Sequence, residues 1–163
     1  MSLPATSKGH PKGLYVLFFT EMWERFGYYL MIGIFTLYLK DSVDGFNMDE
    51  KDSASLYGTF IALVFFTPFL GGLIADRYLG YRRSIVLGGL LMGVGYCTMG
   101  IHNETMLYVS MALVIVGNGF FKPNISSMVG QLYKADDPRR DAGFSFFYMG
   151  VNLGALIGGY ICI

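Results

Sequence analysis

The chain alternates long apolar runs with short polar breaks. The apolar runs cover about 14–39, 53–75, 84–101, 105–129 and 141–163. Each is near the roughly 20 residues that a helix needs to cross a bilayer. A backbone in lipid must satisfy its own hydrogen bonds, so each run predicts a helix. Ser53 is the candidate cap of the second helix, and Pro68 and Pro123 are candidate kinks in the second and fourth. Residues 1–13 read as a polar tail. The breaks are an acidic loop at 40–52, a loop at 76–83, a tight turn at His102-Asn103-Glu104 and a charged loop at 134–140. His102 reads as an exposed turn residue. The fifth run is still apolar at Ile163, and an odd helix count that stops in mid-pattern predicts a truncated chain.

Composition removes the soluble alternative. Of 163 residues, 53% are hydrophobic and 15% charged, against about 25% charged in ordinary soluble domains. Twelve basic and twelve acidic residues cancel, so no bulk attraction to nucleic acid is expected. The 22 glycines and 17% aromatics suit membrane helices, where glycine lets backbones approach and aromatics sit at interfaces. Cys97 and Cys162 both lie in apolar runs and read as small hydrophobes rather than a disulfide or metal pair. There is no nucleophile–base set, metal set or phosphate loop outside the spans, so neither an enzyme nor a cofactor is expected. The first run is too long and too charged for a secretory signal and predicts an uncleaved first helix.

Basic residues set the orientation. Lys8 and Lys12 precede the first helix. Arg77, Arg82 and Arg83 lie between the second and third, and Lys134, Arg139 and Arg140 between the fourth and fifth. The opposite side has Lys40 and Lys51 among acids. The positive-inside rule therefore places the N-terminus in the cytoplasm.

Three features carry chemistry. Inside the first apolar run stand Glu21, Glu24 and Arg25, followed by Tyr28 and Tyr29. A charge near the membrane centre costs at least ~2.5–3.5 kcal/mol and marks function. Glu21 and Arg25 are four apart and can pair, as Glu21 and Glu24 are neighbours at three. Tyr28 lies four beyond Glu24, and Tyr29 four beyond Arg25. Two carboxylates beside one guanidinium cannot both be fully neutralised, which suits a group that loads and releases a proton. A structural ion pair is the alternative. The second feature is Lys122 in Gly117–Ser126. It lies about 10 Å from the cytoplasmic end of its helix, the same depth as Glu21. A salt bridge from Lys122 to Glu21 or Glu24 is available; snorkelling to the interface is the alternative. The third is Asn152, about 16 Å into the fifth helix, where a buried amide serves either as interhelical glue or as a substrate contact.

The loop Gly71-Gly72-Leu73-Ile74-Ala75-Asp76-Arg77-Tyr78-Leu79-Gly80-Tyr81-Arg82-Arg83 resembles the signature loop of the major facilitator superfamily. The resemblance implies a cytoplasmic conformational latch at Asp76, Arg77, Gly80, Arg82 and Arg83. Glu-x-x-Glu-Arg-Phe at 21–26, Phe-Lys-Pro-Asn at 121–124 and Phe-Tyr-x-x-x-Asn-x-Gly at 147–154 occur in order. Together they resemble the N-terminal part of the proton-dependent oligopeptide transporters, from residue 14 to the end. The fold implied is an all-α membrane protein, with about five transmembrane helices of an incomplete six-helix N-terminal half of a major facilitator fold.

The resemblance implies uptake of di- and tripeptides at the plasma membrane, driven by an inward proton gradient, with protons as the coupling ion. It assigns proton coupling to Glu21, Glu24, Arg25 and Lys122, and peptide contacts to Arg25, Tyr28, Tyr29, Lys122 and Asn152. The partners implied are the peptides, the lipid bilayer and a missing C-terminal half of the same transporter. Three positions depart from the common family pattern. Phe65 stands where a tyrosine is frequent, Leu30 where glycine is common, and Ile32 where several members have arginine. Two other readings remain open: a major facilitator transporter of another anionic or zwitterionic solute such as nitrate, and a non-transporting membrane subunit.

Overall fold

The computed structural model describes residues 9–162. The tail as far as residue 8, with Lys8, and the terminal Ile163 lie outside the described residues. Among the described residues the chain forms five α-helices and no strand: α1 Lys12–Lys40, α2 Glu50–Ile74, α3 Tyr81–Met99, α4 Glu104–Gln131 and α5 Arg140–Ile161. A five-residue π-helical turn, Ala75–Leu79, continues α2. The α2 helix with its π turn, α4 and α5 are long and apolar enough to cross a membrane on length and composition alone. By contrast, α1 carries three charges mid-helix, and α3 opens on two arginines and holds four glycines.

The termini follow local side-chain chemistry. The second helix starts at Glu50, three residues before the predicted start, because Asp49 rather than Ser53 is its cap. The Asp49 carboxylate accepts from the Asp52 N–H at 2.7 Å, satisfying a donor that the first turn leaves open. Ser53 is fully buried one turn in and donates to the Glu50 carbonyl. Asn103 caps α4 through the Met106 N–H. His102 is exposed as expected. It stacks on Phe46 with centroids 5.1 Å apart and meets the Asp44 carbonyl, tying the two loops on that side together. In the first of these loops the Asp41 carboxylate accepts from the N–H groups of Asp44 and Val43, which hold it below the usual carboxylate range.

The packing is inverted relative to a soluble bundle. Large apolar side chains point outward, including Phe66, Phe69, Leu90, Leu156 and Tyr160. Glu21, Arg25, Ser110, Asn118 and Asn124 are buried inside. Two apolar clusters fill the interior. One joins Met31 and Phe35 of α1 to Phe60 of α2 and Leu107 and Val114 of α4. The other joins Leu14 and Leu17 to Ile85, Met92, Phe121, Ile125 and Phe147. The charged turn of α1 and the Asn118 turn of α4 lie in sequence between these clusters.

Glycines set how closely the helices approach. On α5, Gly150, Gly154 and Gly158 repeat every four residues and face α1. A Cβ at Gly154 would collide with the Met22 carbonyl and crowd the Arg25 Cβ. Lipid offers little hydrophobic drive to helix association, so such small-residue contacts carry it. Both prolines stand inside continuous helices. Each removes an N–H and so frees the carbonyl four residues earlier. The carbonyl freed by Pro123 belongs to Gly119 and faces Gly71 on α2, where only a glycine fits.

Candidate functional site

The helical repeat places Glu21, Glu24, Arg25 and Tyr28 on the inner side of α1. The side chains of Glu21, Glu24 and Arg25 are each 5–7% exposed. Arg25 Nε lies 3.2 Å from Glu21 Oε1 and also donates to Glu24 Oε2. Arg25 Nη2 donates to Asn118 Oδ1 on α4 at 3.3 Å. The guanidinium carbon stands 5.0 Å from the centre of the Tyr28 ring. One guanidinium thus serves two carboxylates, an amide and an aromatic face. Glu21 Oε2 and Glu24 Oε1 are buried and have no hydrogen-bond partner among the described residues. A buried carboxylate oxygen without a donor is costly as an anion and is relieved by a proton.

Lys122 does not bridge to Glu21 or Glu24 as the matching depths led us to expect. Its Nζ stands 4.9 Å from the centre of the Phe65 ring on α2. It still feels the charges of Arg25, Glu24 and Glu21, and the side chain is half-buried. Equal depth therefore brought Lys122 near the cluster, but the rotation of α4 turned it toward α2. Phe65, noted as a departure from the family pattern, is the surface on which it rests.

The paired tyrosines stay in edge-to-face contact, with centroids 5.6 Å apart, but differ in burial. Tyr28 is buried, whereas Tyr29 is 41% exposed, because adjacent helical residues point about 100° apart. Asn152 is exposed and is not the buried amide that its depth predicted. It lies two residues from Gly154, whose backbone faces α1.

At the opposite end of α2, Gly80 has φ 74°, a left-handed backbone that glycine adopts without strain. That turn reverses the chain between the π turn and α3. Asp76, Arg77, Arg82 and Arg83 are exposed around it. The Asp76 carboxylate stands beside the Tyr81 hydroxyl. The five residues of the implied latch are therefore grouped at one end of the bundle. At the same end, His10 meets the Tyr133 hydroxyl at 2.8 Å, and Arg139 clamps Asp137 while donating to the Gly9 carbonyl.

Two members of the site were not singled out from sequence. Asn118 is fully buried and links Arg25 to α2 by donating to the Val64 carbonyl at 3.0 Å. Tyr96 of α3 lays its ring against Gly27, and its buried hydroxyl has no partner among the described residues. Asn118 lies within the Gly117–Ser126 stretch and has a sequence signal, a lone amide inside an apolar helix. Tyr96 has none beyond being one aromatic of many.

The sequence pattern of the POT family (PTR2) matches residues 82–163. The chain is 43% identical over 156 residues to the uncharacterized transporter YclF of Bacillus subtilis (strain 168), covering 94% of this chain and 32% of that protein. It is 42% identical over 158 residues to the di-/tripeptide transporter of Lactococcus lactis subsp. lactis (strain IL1403), with the same coverage. The crystal structure of a peptide transporter POT with sulfate superposes with a TM-score of 0.91 at 46% identity, over 98% of this chain and 33% of that one. A POT family transporter in complex with 5-aminolevulinic acid gives 0.90 at 42% identity, over 96% and 33%. The chain spans about a third of the length of the curated relatives it matches. The helical architecture is thus shared with solved peptide transporters, and the chain belongs to the POT family.

Proposed function

We propose that this chain is the N-terminal portion of a proton-coupled symporter for di- and tripeptides, completed by a C-terminal half. The observation that carries this reading is the buried Glu21–Arg25–Glu24 cluster, with one guanidinium for two carboxylates and two carboxylate oxygens left without donors. Such a set takes up a proton without a metal or organic cofactor. The proton is the coupling ion. Arg25 and the half-buried Lys122 supply positive charge for the carboxylate of a zwitterionic peptide, and Tyr28 supplies an aromatic wall. Tyr29 and Asn152, both exposed on the bundle, are the remaining peptide contacts. Arg25 is only 5% exposed, so its contact with a peptide requires the surrounding helices to part.

The name of the Lactococcus lactis relative supports the substrate class. The basic residues near Lys12, Arg82 and Arg139 support a cytoplasmic N-terminus in the plasma membrane. The residues around Gly80 serve as the latch on that side, where the two halves of such transporters rock against each other.

The test is uptake by the full-length transporter in proteoliposomes. An inward proton gradient is expected to drive accumulation of labelled dialanine, and unlabelled dipeptide is expected to compete. Flux of nitrate with no competition by dialanine would overturn the peptide reading. Absence of any solute flux would favour a non-transporting subunit.

A further inference from the structure

Asn118 makes two hydrogen bonds to two different helices. Its Oδ1 accepts from Arg25 Nη2 of α1, and its Nδ2 donates to the Val64 carbonyl of α2. The identity of the second partner has a cause. Residue 68 is the donor that would bond the Val64 carbonyl in an uninterrupted helix, and residue 68 is proline. Pro68 thus leaves one buried acceptor open, and Asn118 fills it. The amide is then fixed: with Nδ2 committed to Val64, Oδ1 must point at Arg25. The neighbours Gly117 and Gly119 let α4 approach closely enough for this. Gly117 lies against Met92 and Gly88 of α3, and Gly119 against Thr67 of α2.

We propose that Asn118 is a positioning residue for Arg25, anchored on the carbonyl that Pro68 leaves open, and that it holds the guanidinium in register with Glu21 and Glu24. This rests on the reading of that cluster as the proton-coupling site. The same bonds tie the orientation of Arg25 to the proline break in α2. The charged and titratable groups around the cluster are Lys122 on α4, Tyr96 on α3, and Tyr28 on α1 with Tyr29 of α1 and Tyr57 of α2 beyond it. From α5, Gly154 presents only backbone to Arg25.

The alternative role for Asn118 is to satisfy the Val64 carbonyl and nothing more, and Pro68 allows the two to be separated. Pro68→Ala restores the missing N–H, so it supplies the carbonyl without supplying an acceptor to Arg25. The experiment compares the full-length wild type, Pro68→Ala, Asn118→Ala and the double variant. Thermal stability, the pH profile of proton-driven dialanine uptake and the infrared titration of buried carboxyl groups are measured. In Asn118→Ala, uptake is expected to fall roughly tenfold or more, the scale of a hydrogen bond to a charged group, and stability to drop. In the double variant stability is expected to return. The uptake defect is expected to persist, and the carboxyl titration to remain displaced by roughly half a pH unit or more. A double variant with wild-type uptake and titration would overturn the proposal and leave Asn118 a structural plug. Should the wild type show no proton-driven uptake, the functional reading fails by itself. The infrared midpoints of the stable double variant and of the wild type then decide whether Asn118 positions Arg25: a displaced midpoint supports it and a coincident one refutes it.

Discussion

The Lys122 ammonium stands over the ring of Phe65, 4.9 Å from its centre, and not against Glu21 or Glu24. A cation over an aromatic face gains about 0.5–2 kcal/mol. On the proposed function, this is a modest hold that a peptide carboxylate can replace. Lys122→Ala is expected to lower dipeptide uptake by about tenfold or more, the scale of a lost charge-assisted contact. Phe65→Leu is expected to leave uptake within a few-fold of wild type, the scale of a lost cation–π contact. Unchanged uptake in Lys122→Ala would show that the lysine merely reaches for the interface.

Glu24 and Glu21 share one guanidinium, so neutralising one should uncouple transport rather than unfold the bundle. In Glu24→Gln of the full-length transporter, accumulation driven by a proton gradient is expected to vanish. Counterflow exchange of labelled for unlabelled dialanine is expected to persist. Retained accumulation in this variant would remove Glu24 from the coupling site.

Gly154 lies where α5 meets the Met22 carbonyl and the Arg25 Cβ. Gly154→Val forces α5 away from α1 and should cost about 1–3 kcal/mol, the usual scale of overpacking. A lowered unfolding temperature in detergent, together with lost uptake, is the expected outcome. Gly93 has open space where a Cβ would go, so Gly93→Ala is a control expected to retain both.

Asp137 in the α4–α5 loop accepts from Arg139 Nε at 3.0 Å and Nη2 at 2.8 Å. These bonds hold its carboxyl down to about 2, against an unfolded value near 3.9. A depressed carboxylate stabilises the folded loop above the unfolded value, and this contribution is lost as pH falls through about 4 toward 2. Asp137→Asn is therefore expected to speed amide hydrogen exchange across 134–140 at pH 7. The difference from wild type should shrink as pH approaches about 2. A difference that stays constant with pH would mean the clamp does not act through the charge.

Much of the fold was legible because a membrane helix is written in one dimension. Length, apolarity and the breaks between runs placed all five helices within a few residues, and the misplaced start of α2 came from choosing Ser53 over Asp49 as its cap. The pairing of Glu21 with Arg25 was legible for the same reason, since both lie on one helix and the repeat fixes their spacing. The paired tyrosines show the limit: neighbours in sequence point in different directions, so Tyr28 joins the cluster and Tyr29 does not.

The sequence by itself determined the helices, the charged turn of α1, the loop at 76–83 and the family resemblance. Each depends on local spacing or on a motif read along one segment. Only the tertiary structure decided what each helix turns toward its neighbours. It set Lys122 on Phe65, left Asn152 exposed, and joined Asn118 to both Arg25 and the Val64 carbonyl. Those outcomes depend on the rotation of one helix about its axis relative to another. That rotation is fixed by close glycine contacts such as Gly154 on α1 and Gly119 on Thr67. Depth along a helix can be counted from sequence, but rotation between helices emerges only when they pack.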